Sequence, residues 1–244
     1  MRIFAVGDIH QARNIEAIEE AIDDLKPDLS VFLGDYFDGR DSIAAEVGRT
    51  AEWLKAGLHM PRRVHLWGNH DLPYAFPCVA PCTGFRGDNA ATVRWILNSQ
   101  EWSTLSLWHA TNGWLFSHAG LSQHHAPSLL EATAPLCSWL ECGSKVAWTK
   151  LTRKEPHWIL ARGRSRGGDT NAGGLLWCDF DEEFVPIPGL NQVFGHTPAA
   201  FGHSPHVRLR VGDSSCNWCI DTSSTEGVHV ALLLHGSDTS VITI

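Results

Sequence analysis

Three apolar runs near the amino terminus each stop at a glycine that hands over to an acid or an amide, and this repeated stop constrains the fold more than any other feature. Ile3 to Val6 runs into Gly7-Asp8-Ile9-His10, Leu29 to Leu33 into Gly34-Asp35-Tyr36-Phe37-Asp38, and Val64 to Trp67 into Gly68-Asn69-His70-Asp71. Such short apolar stretches read as buried strands. Between them, Ile15, Ile18, Ile22 and Leu25 recur at helical spacing until Pro27, and Ala44 to Ala56 behaves in the same way before Gly57. The order strand, helix, strand, helix, strand predicts parallel pairing with right-handed crossovers. In such a sheet the polar side chain after each glycine stands at the carboxyl edge, where open α/β sheets bind ligands. A fourth fragment, Gly195-His196-Thr197-Pro198, repeats the pattern late in the chain.

With 244 residues, 43% of them hydrophobic, the chain can bury a substantial core, and 1–244 reads as one domain. From Asn191 onward short β-like runs dominate: Gln192 to Phe194, Val207 to Val211, Trp218 to Ile220, Val228 to Leu234 and Val241 to Ile244. They predict a second, mostly antiparallel sheet that closes the core. Residues 72–88 and 126–154, both interrupted by prolines and glycines, are expected over the rim of the site.

No run reaches the ~20 apolar residues of a membrane helix, and the first strand pattern leaves no room for a signal peptide, so the expected location is cytoplasmic, away from membranes. An odd count of seven cysteines fits a reducing compartment. Cys78 with Cys82 and Cys216 with Cys219 have apolar neighbours and are read as small buried residues rather than a zinc site. A formal charge of −8 and tryptophans scattered as core residues would be argue against a stable nucleic-acid complex.

The fragments offer metal donors. Asp8 and His10, two apart after a strand, both turn toward one ion if the backbone leaves the pleat there. Asp35 has two carboxylate oxygens, enough to bridge cations ~3.5 to 4 Å apart. Asn69 adds a neutral oxygen, and His118 (in Ser117-His118-Ala119-Gly120) and His196 add imidazole nitrogens. That mixture suits manganese, iron or zinc better than calcium. The other ten histidines read as ordinary core or surface groups, with His124, His125, His203 and His206 near enough to the fragments to reach the rim.

In order and spacing these fragments resemble the calcineurin-like metallophosphoesterases. More narrowly they are similar to the phosphoprotein phosphatase branch and its bacterial and phage relatives, including the symmetric dinucleoside tetraphosphatases. The likeness runs from residue 3 to about 222, through Leu175-Leu176-Trp177-Cys178-Asp179 and Cys219-Ile220-Asp221-Thr222. It implies an α/β fold of the metallophosphoesterase type, a two-sheet β-sandwich flanked by helices with the site at the carboxyl ends of the central strands. It also implies that Asp8, His10 and Asp35 hold a first divalent cation and Asp35, Asn69, His118 and His196 a second. The wider superfamily often has another histidine where this chain has Pro198. The first cation then has three protein ligands, which predicts two unequal affinities on metal titration.

The implied chemistry is attack on phosphorus by a hydroxide shared between the cations. His70, beside Asn69, is the candidate general acid for the leaving alkoxide. Asp38 matches the family position that orients this histidine, with Asp71 as the alternative. Where the phosphatase branch has an arginine directly after Asp38, this chain has Gly39 and then Arg40, and Trp67 replaces an arginine before the Gly-Asn-His triplet. The basic, glycine-rich stretch Arg162-Gly163-Arg164-Ser165-Arg166-Gly167-Gly168 is a second source of a phosphate clamp, through Arg164 and Arg166, or else a solvated flexible loop.

The leading expectation is therefore a manganese-activated phosphomonoesterase of the Ser/Thr phosphatase type, acting on phosphorylated proteins or small phosphoesters. The enzyme alternative is a hydrolase of dinucleoside polyphosphates or cyclic phosphodiesters. A different class is an inactive metal-binding module.

Overall fold

The computed structural model describes residues 1–10, 15–39, 43–126, 133–199, 207–222, 229–236 and 238–244. The first half of the chain lays down β1 (Arg2–Val6), α1 (Ile15–Leu25), β2 (Leu29–Phe32), α2 (Ala44–Leu58) and β3 (Arg63–His65). These three strands pair in parallel, Val6 level with Phe32 and Phe32 with His65, as the alternation of strand and helix predicts. Three short helices follow, α3 (Leu72–Ala75), α4 (Gly87–Ile96) and α5 (Ser99–Ser103). Then come the hairpin β4 (Trp108–Thr111) and β5 (Trp114–Ser117), and the long α6 (Thr133–Thr152). The carboxyl half adds β6 (Asn191–Phe194), β7 (Arg208–Gly212), β8 (Ser215–Cys219), β9 (Val230–His235) and β10 (Asp238–Thr243).

Two five-stranded sheets result, ordered β10-β9-β1-β2-β3 and β4-β5-β6-β8-β7. Both are mixed. The expectation of a mostly antiparallel second sheet is corrected: β5, β6 and β8 run parallel, with antiparallel β4 and β7 only at the edges. The late strands also divide. β9 and β10 leave the second sheet and extend the first, β9 lying antiparallel against β1.

Alternation along β1 explains the layers. Ile3 and Ala5 join Val31, Leu33, Phe116, Val193 and Ile220 in the core between the sheets, whereas Phe4 and Val6 join Ile18, Val47, Ala51 and Leu54 beneath the helices. Sheet one is thus covered on both faces, which is why its strands read as unbroken apolar runs. The helix α2 passes through Gly57 instead of stopping before it. A β-carbon there would lie 2.7 Å from His65 Nε2, so this glycine permits close helix-to-strand packing. Among the tryptophans Trp95 is 91% exposed on α4, which departs from a uniform core placement.

Candidate metal centre

The parallel strands of both sheets end at one edge. Asp8 follows β1, Asp35 follows β2 and Asn69 follows β3 in one sheet, while His118 follows β5 and His196 follows β6 in the other. The glycines at these ends are there for proximity as well as for turning. A β-carbon on Gly68 would fall 2.1 Å from Asp35 Oδ1, and one on Gly195 would fall 1.9 Å from Asp8 Oδ2. Four side-chain-bearing residues at this edge take left-handed backbone angles, with φ of 45° at His10, 53° at Asp35, 66° at Asp38 and 69° at His196. Each such angle costs of order 1 kcal/mol, a strain that the surrounding structure must hold in place.

The donor atoms form two overlapping groups, Asp8, His10 and Asp35 on one side and Asp35, His118 and His196 on the other. His118 Nε2 lies 2.8 Å from Asn69 Oδ1, 3.2 Å from His196 Nδ1 and 3.4 Å from Asp35 Oδ2. His196 Nδ1 is itself 2.8 Å from Asn69 Oδ1. On the other side His10 Nε2 is 3.7 Å from Asp35 Oδ2.

The far nitrogens decide what these atoms are. His118 Nδ1 bonds the Leu33 carbonyl and His10 Nδ1 the Phe37 carbonyl, each at 2.8 Å. A carbonyl only accepts, so both Nδ1 atoms carry hydrogen. Burial pushes the His118 and His196 imidazoles below the ordinary histidine range, and both are neutral at pH 7. His118 Nε2 therefore presents a lone pair to the Asn69 and Asp35 oxygens, which also only accept. His196 Nε2, buried, has no hydrogen-bond partner among the described residues. The lone pairs of His118 Nε2, Asn69 Oδ1 and Asp35 Oδ2 facing one another call for a cation, and backbone carbonyls holding the remote nitrogens of His118 and His10 are what metal-bound imidazoles need. The residues fit a pair of divalent ions, with Asp35 common to both donor groups.

Burial would raise the Asp35 carboxyl, yet His118, His70 and His10 around it and the His70 N–H at 2.8 Å hold it below the usual range. Asp8 goes the other way, raised by burial and then by Asp221 and Asp35. Its oxygens accept from His196 N–H at 3.1 and 3.0 Å, a bond that ties the ends of β1 and β6.

His70 stands beside this pair of groups, its Nδ1 3.0 Å from Asp38 Oδ2. The Tyr74 hydroxyl donates to the other oxygen of Asp38. Burial opposes charge on His70, but Asp35, Asp38 and Asp71 outweigh it and raise its pKa to about 9. Asp71 makes no bond to the imidazole. Its carboxylate accepts the backbone N–H groups of Asp35, Tyr36 and Gly68 at 3.0, 2.9 and 2.8 Å, fastening two strand-end loops together.

The candidate clamp arginines take separate places. Arg40, with His203 and His206, lies outside the described residues. The 162–168 stretch is an ordered turn, pinned where Glu183 accepts the N–H groups of Ser165 at 2.9 Å and Gly173 at 2.8 Å. Arg166 spends its guanidinium on Asp179 at 2.8 Å and Thr197 at 3.3 Å, and Arg164 is exposed. Arg162 was not singled out. Its guanidinium lies 4.1 Å over the Trp177 ring, and the Trp177 edge meets His196 at 5.7 Å. Its charge also reaches Cys82, whose sulfur is 3.7 Å from Asn69 Nδ2. Arg162 thus stacks on one neighbour of His196 and acts on one neighbour of Asn69. Only the composition of its stretch hinted at it; the tie to Trp177 spans fifteen residues and left no local pattern. At the position of the missing family arginine, Trp67 is buried and stacked on Trp102 at 5.1 Å. His125 bonds the carbonyls of Ala172 and Gly173 at 3.1 and 3.0 Å, and His124 is exposed.

A family model for the calcineurin-like phosphoesterases matches residues 1–206. No curated protein sequence matches. Among solved structures, a cold-active protein tyrosine phosphatase aligns with a TM-score of 0.60 at 16% identity, covering 99% of this chain and 78% of the other. A metallophosphoesterase from Sphaerobacter thermophilus aligns at 0.50 and 14% identity, covering 100% and 88%. A protein serine/threonine phosphatase from Saccharomyces cerevisiae aligns at 0.50 and 14% identity, covering 100% and 79%. At these identities the alignments speak for the fold. Members of the matched family bind a binuclear divalent metal centre, which agrees with the donor groups at the strand ends. By that match over most of its length, the chain belongs to the calcineurin-like phosphoesterase family and is a phosphoesterase.

Proposed function

We propose that the protein is a phosphomonoesterase of the Ser/Thr phosphatase type, with phosphorylated proteins or small phosphoesters as substrates and two divalent cations, manganese among those that support turnover. When bound, such a pair supplies Lewis acidity toward phosphate oxygens and a nucleophile at neutral pH. Asp8, His10 and Asp35 would hold one ion, and Asp35, Asn69, His118 and His196 the other.

The protein's own groups do the rest. His70, charged at neutral pH and held through Nδ1 by Asp38, presents Nε2 as the proton donor for the departing alkoxide. Asp38 fixes the tautomer and stabilises the imidazolium, and the Tyr74 hydroxyl fixes Asp38. Arg162, pre-ordered on Trp177, offers guanidinium N–H groups to phosphate oxygens. Arg40 and Arg164 remain further candidates for that clamp, and Arg166 supports it through Asp179.

The observation that supports the monoester reading is positive charge beside the metal donors, from His70, whose ring centroid lies 5.1 Å from that of His10, and from Arg166, whose charge reaches His196. A phosphate monoester carries nearly two charges at pH 7 and a diester only one, so added positive charge favours the monoester over a cyclic diester. The test is a comparison of kcat/KM with manganese for a phosphoserine peptide, an aryl phosphate, a dinucleoside tetraphosphate and a 2′,3′-cyclic nucleotide. The phosphopeptide or aryl phosphate should exceed the other two by at least about tenfold. A preference for either of the others would reject the reading, and no turnover of any would favour an inactive metal-binding module.

A further inference from the structure

Six parallel strands end at the metal edge, and five have been given a role there. The sixth is β8, parallel to β6. Its hydrogen bonding continues one residue beyond its end, Ile220 N–H to the Phe194 carbonyl at 2.8 Å, and the next residue is Asp221, 2% exposed. Asp221 lies on the first-cation side, since a β-carbon on Gly7 would sit 3.5 Å from its Cα and Gly7 leads directly into Asp8. This is the half with fewer ligands, because Pro198 stands where the wider superfamily often has a histidine.

A second side chain belongs to the same neighbourhood. His229 precedes β9, the antiparallel neighbour of β1, and is 6% exposed. Its Nε2 has no hydrogen-bond partner among the described residues. Burial pushes its imidazole to about 4, while Asp221 pulls upward and His10 downward, so both lie within electrostatic reach. Asp221 also raises Asp8, giving three buried carboxylates, Asp8, Asp35 and Asp221, around one edge. Like charges packed together out of water are costly unless a cation offsets them.

We propose that Asp221 and His229 form an outer layer behind Asp8 that strengthens the hold on the first cation, Asp221 as a charge-bearing positioning residue and His229 as its neighbour with a free ring nitrogen. The proposal rests on the ligand assignment given above and adds the sixth strand end to it.

The experiment is calorimetric titration of Mn2+ alone into the chelator-stripped full chain, with thermal melting of the metal-free protein beside it. Wild type should show a tighter and a weaker site; no binding at all would sink the ligand assignment itself rather than this addition. Asp221→Asn should weaken the weaker site about tenfold and leave the tighter one within about twofold, the size expected of outer-layer partners. Melting of metal-free Asp221→Asn beside wild type separates loss of the ion from loss of the fold. Unchanged weaker affinity together with lower melting would mean a purely structural residue and overturn the proposal. If the Asn variant does not fold, His229→Gln carries the comparison: the weaker affinity should fall in the same direction, and no change there overturns the idea equally.

Discussion

Asp71 turns both oxygens to backbone N–H groups and Asp38 turns one to the imidazole, and this assigns the two acids that flank His70 different tasks. Asp71 holds backbone, while Asp38 holds His70 on one oxygen and Tyr74 on the other. Removing His70 should therefore hurt most where the leaving group needs a proton. His70→Ala is expected to lower kcat by ~10²-fold or more for an alkyl phosphate and far less for a nitrophenyl ester, whose leaving group departs as the anion. Equal losses on both would argue that His70 only binds phosphate. Tyr74→Phe should give a smaller loss with the same leaving-group dependence, since it loosens Asp38 without removing it. The convergence of Asp8, Asp35, Asn69, His118 and His196 was readable because each directly follows a glycine or a strand, and that of His10 because it lies two residues after Asp8. Tyr74 and Arg162 were not, because one hydroxyl and one guanidinium reach their partners across the fold, and no spacing rule records such a contact.

At the level of elements, the repeated apolar run followed by glycine specified β1, β2 and β3, their parallel pairing and the helices between them. The second sheet was harder to read for a topological reason. β5 and β6 are parallel neighbours, but α6 sits inside a connection far longer than a simple crossover, and between β6 and β8 lies the antiparallel strand β7, so the compact strand–helix alternation that signals parallel pairing is missing. β9 and β10 look like any other late hairpin in sequence, and only the covered edge of β1 recruits them to the first sheet. The loop following β3 is packed so tightly against that following β2 that Gly68 admits no side chain. Gly68→Ala would place a β-carbon 2.1 Å from Asp35 Oδ1 and 2.2 Å from its backbone nitrogen. We expect a loss of roughly 1 to 3 kcal/mol in chemical denaturation and of most bound metal by elemental analysis. A variant with wild-type stability and full metal content would show that the loops can part.

For the whole molecule, acid should be the natural denaturant. His65 is buried against Phe32 and Tyr36, with its pKa lowered to about 3 by burial and by Arg63, and His229 is lowered to about 4. The unfolded chain takes up these protons near pH ~6.5, the folded one only near 3 to 4. Their contribution to stability is therefore complete above ~6.5 and is lost as pH falls through that window, at up to about 1.4 kcal/mol per pH unit for each imidazole. Urea midpoints should fall between pH 7 and pH 4.5, and His65→Gln should narrow the gap between them; an equal gap in the variant would remove His65 from the account. No helix among the described residues is long and apolar enough to cross a membrane. The two sheets meet along a seam, and the cation donors come from both of its banks: Asp8, His10, Asp35 and Asn69 from one leaf, His118 and His196 from the other. Ions lodged there would act as rivets between leaves, so that stripping them should speed amide exchange at Gly195 and His196 ahead of any change in the helical cover.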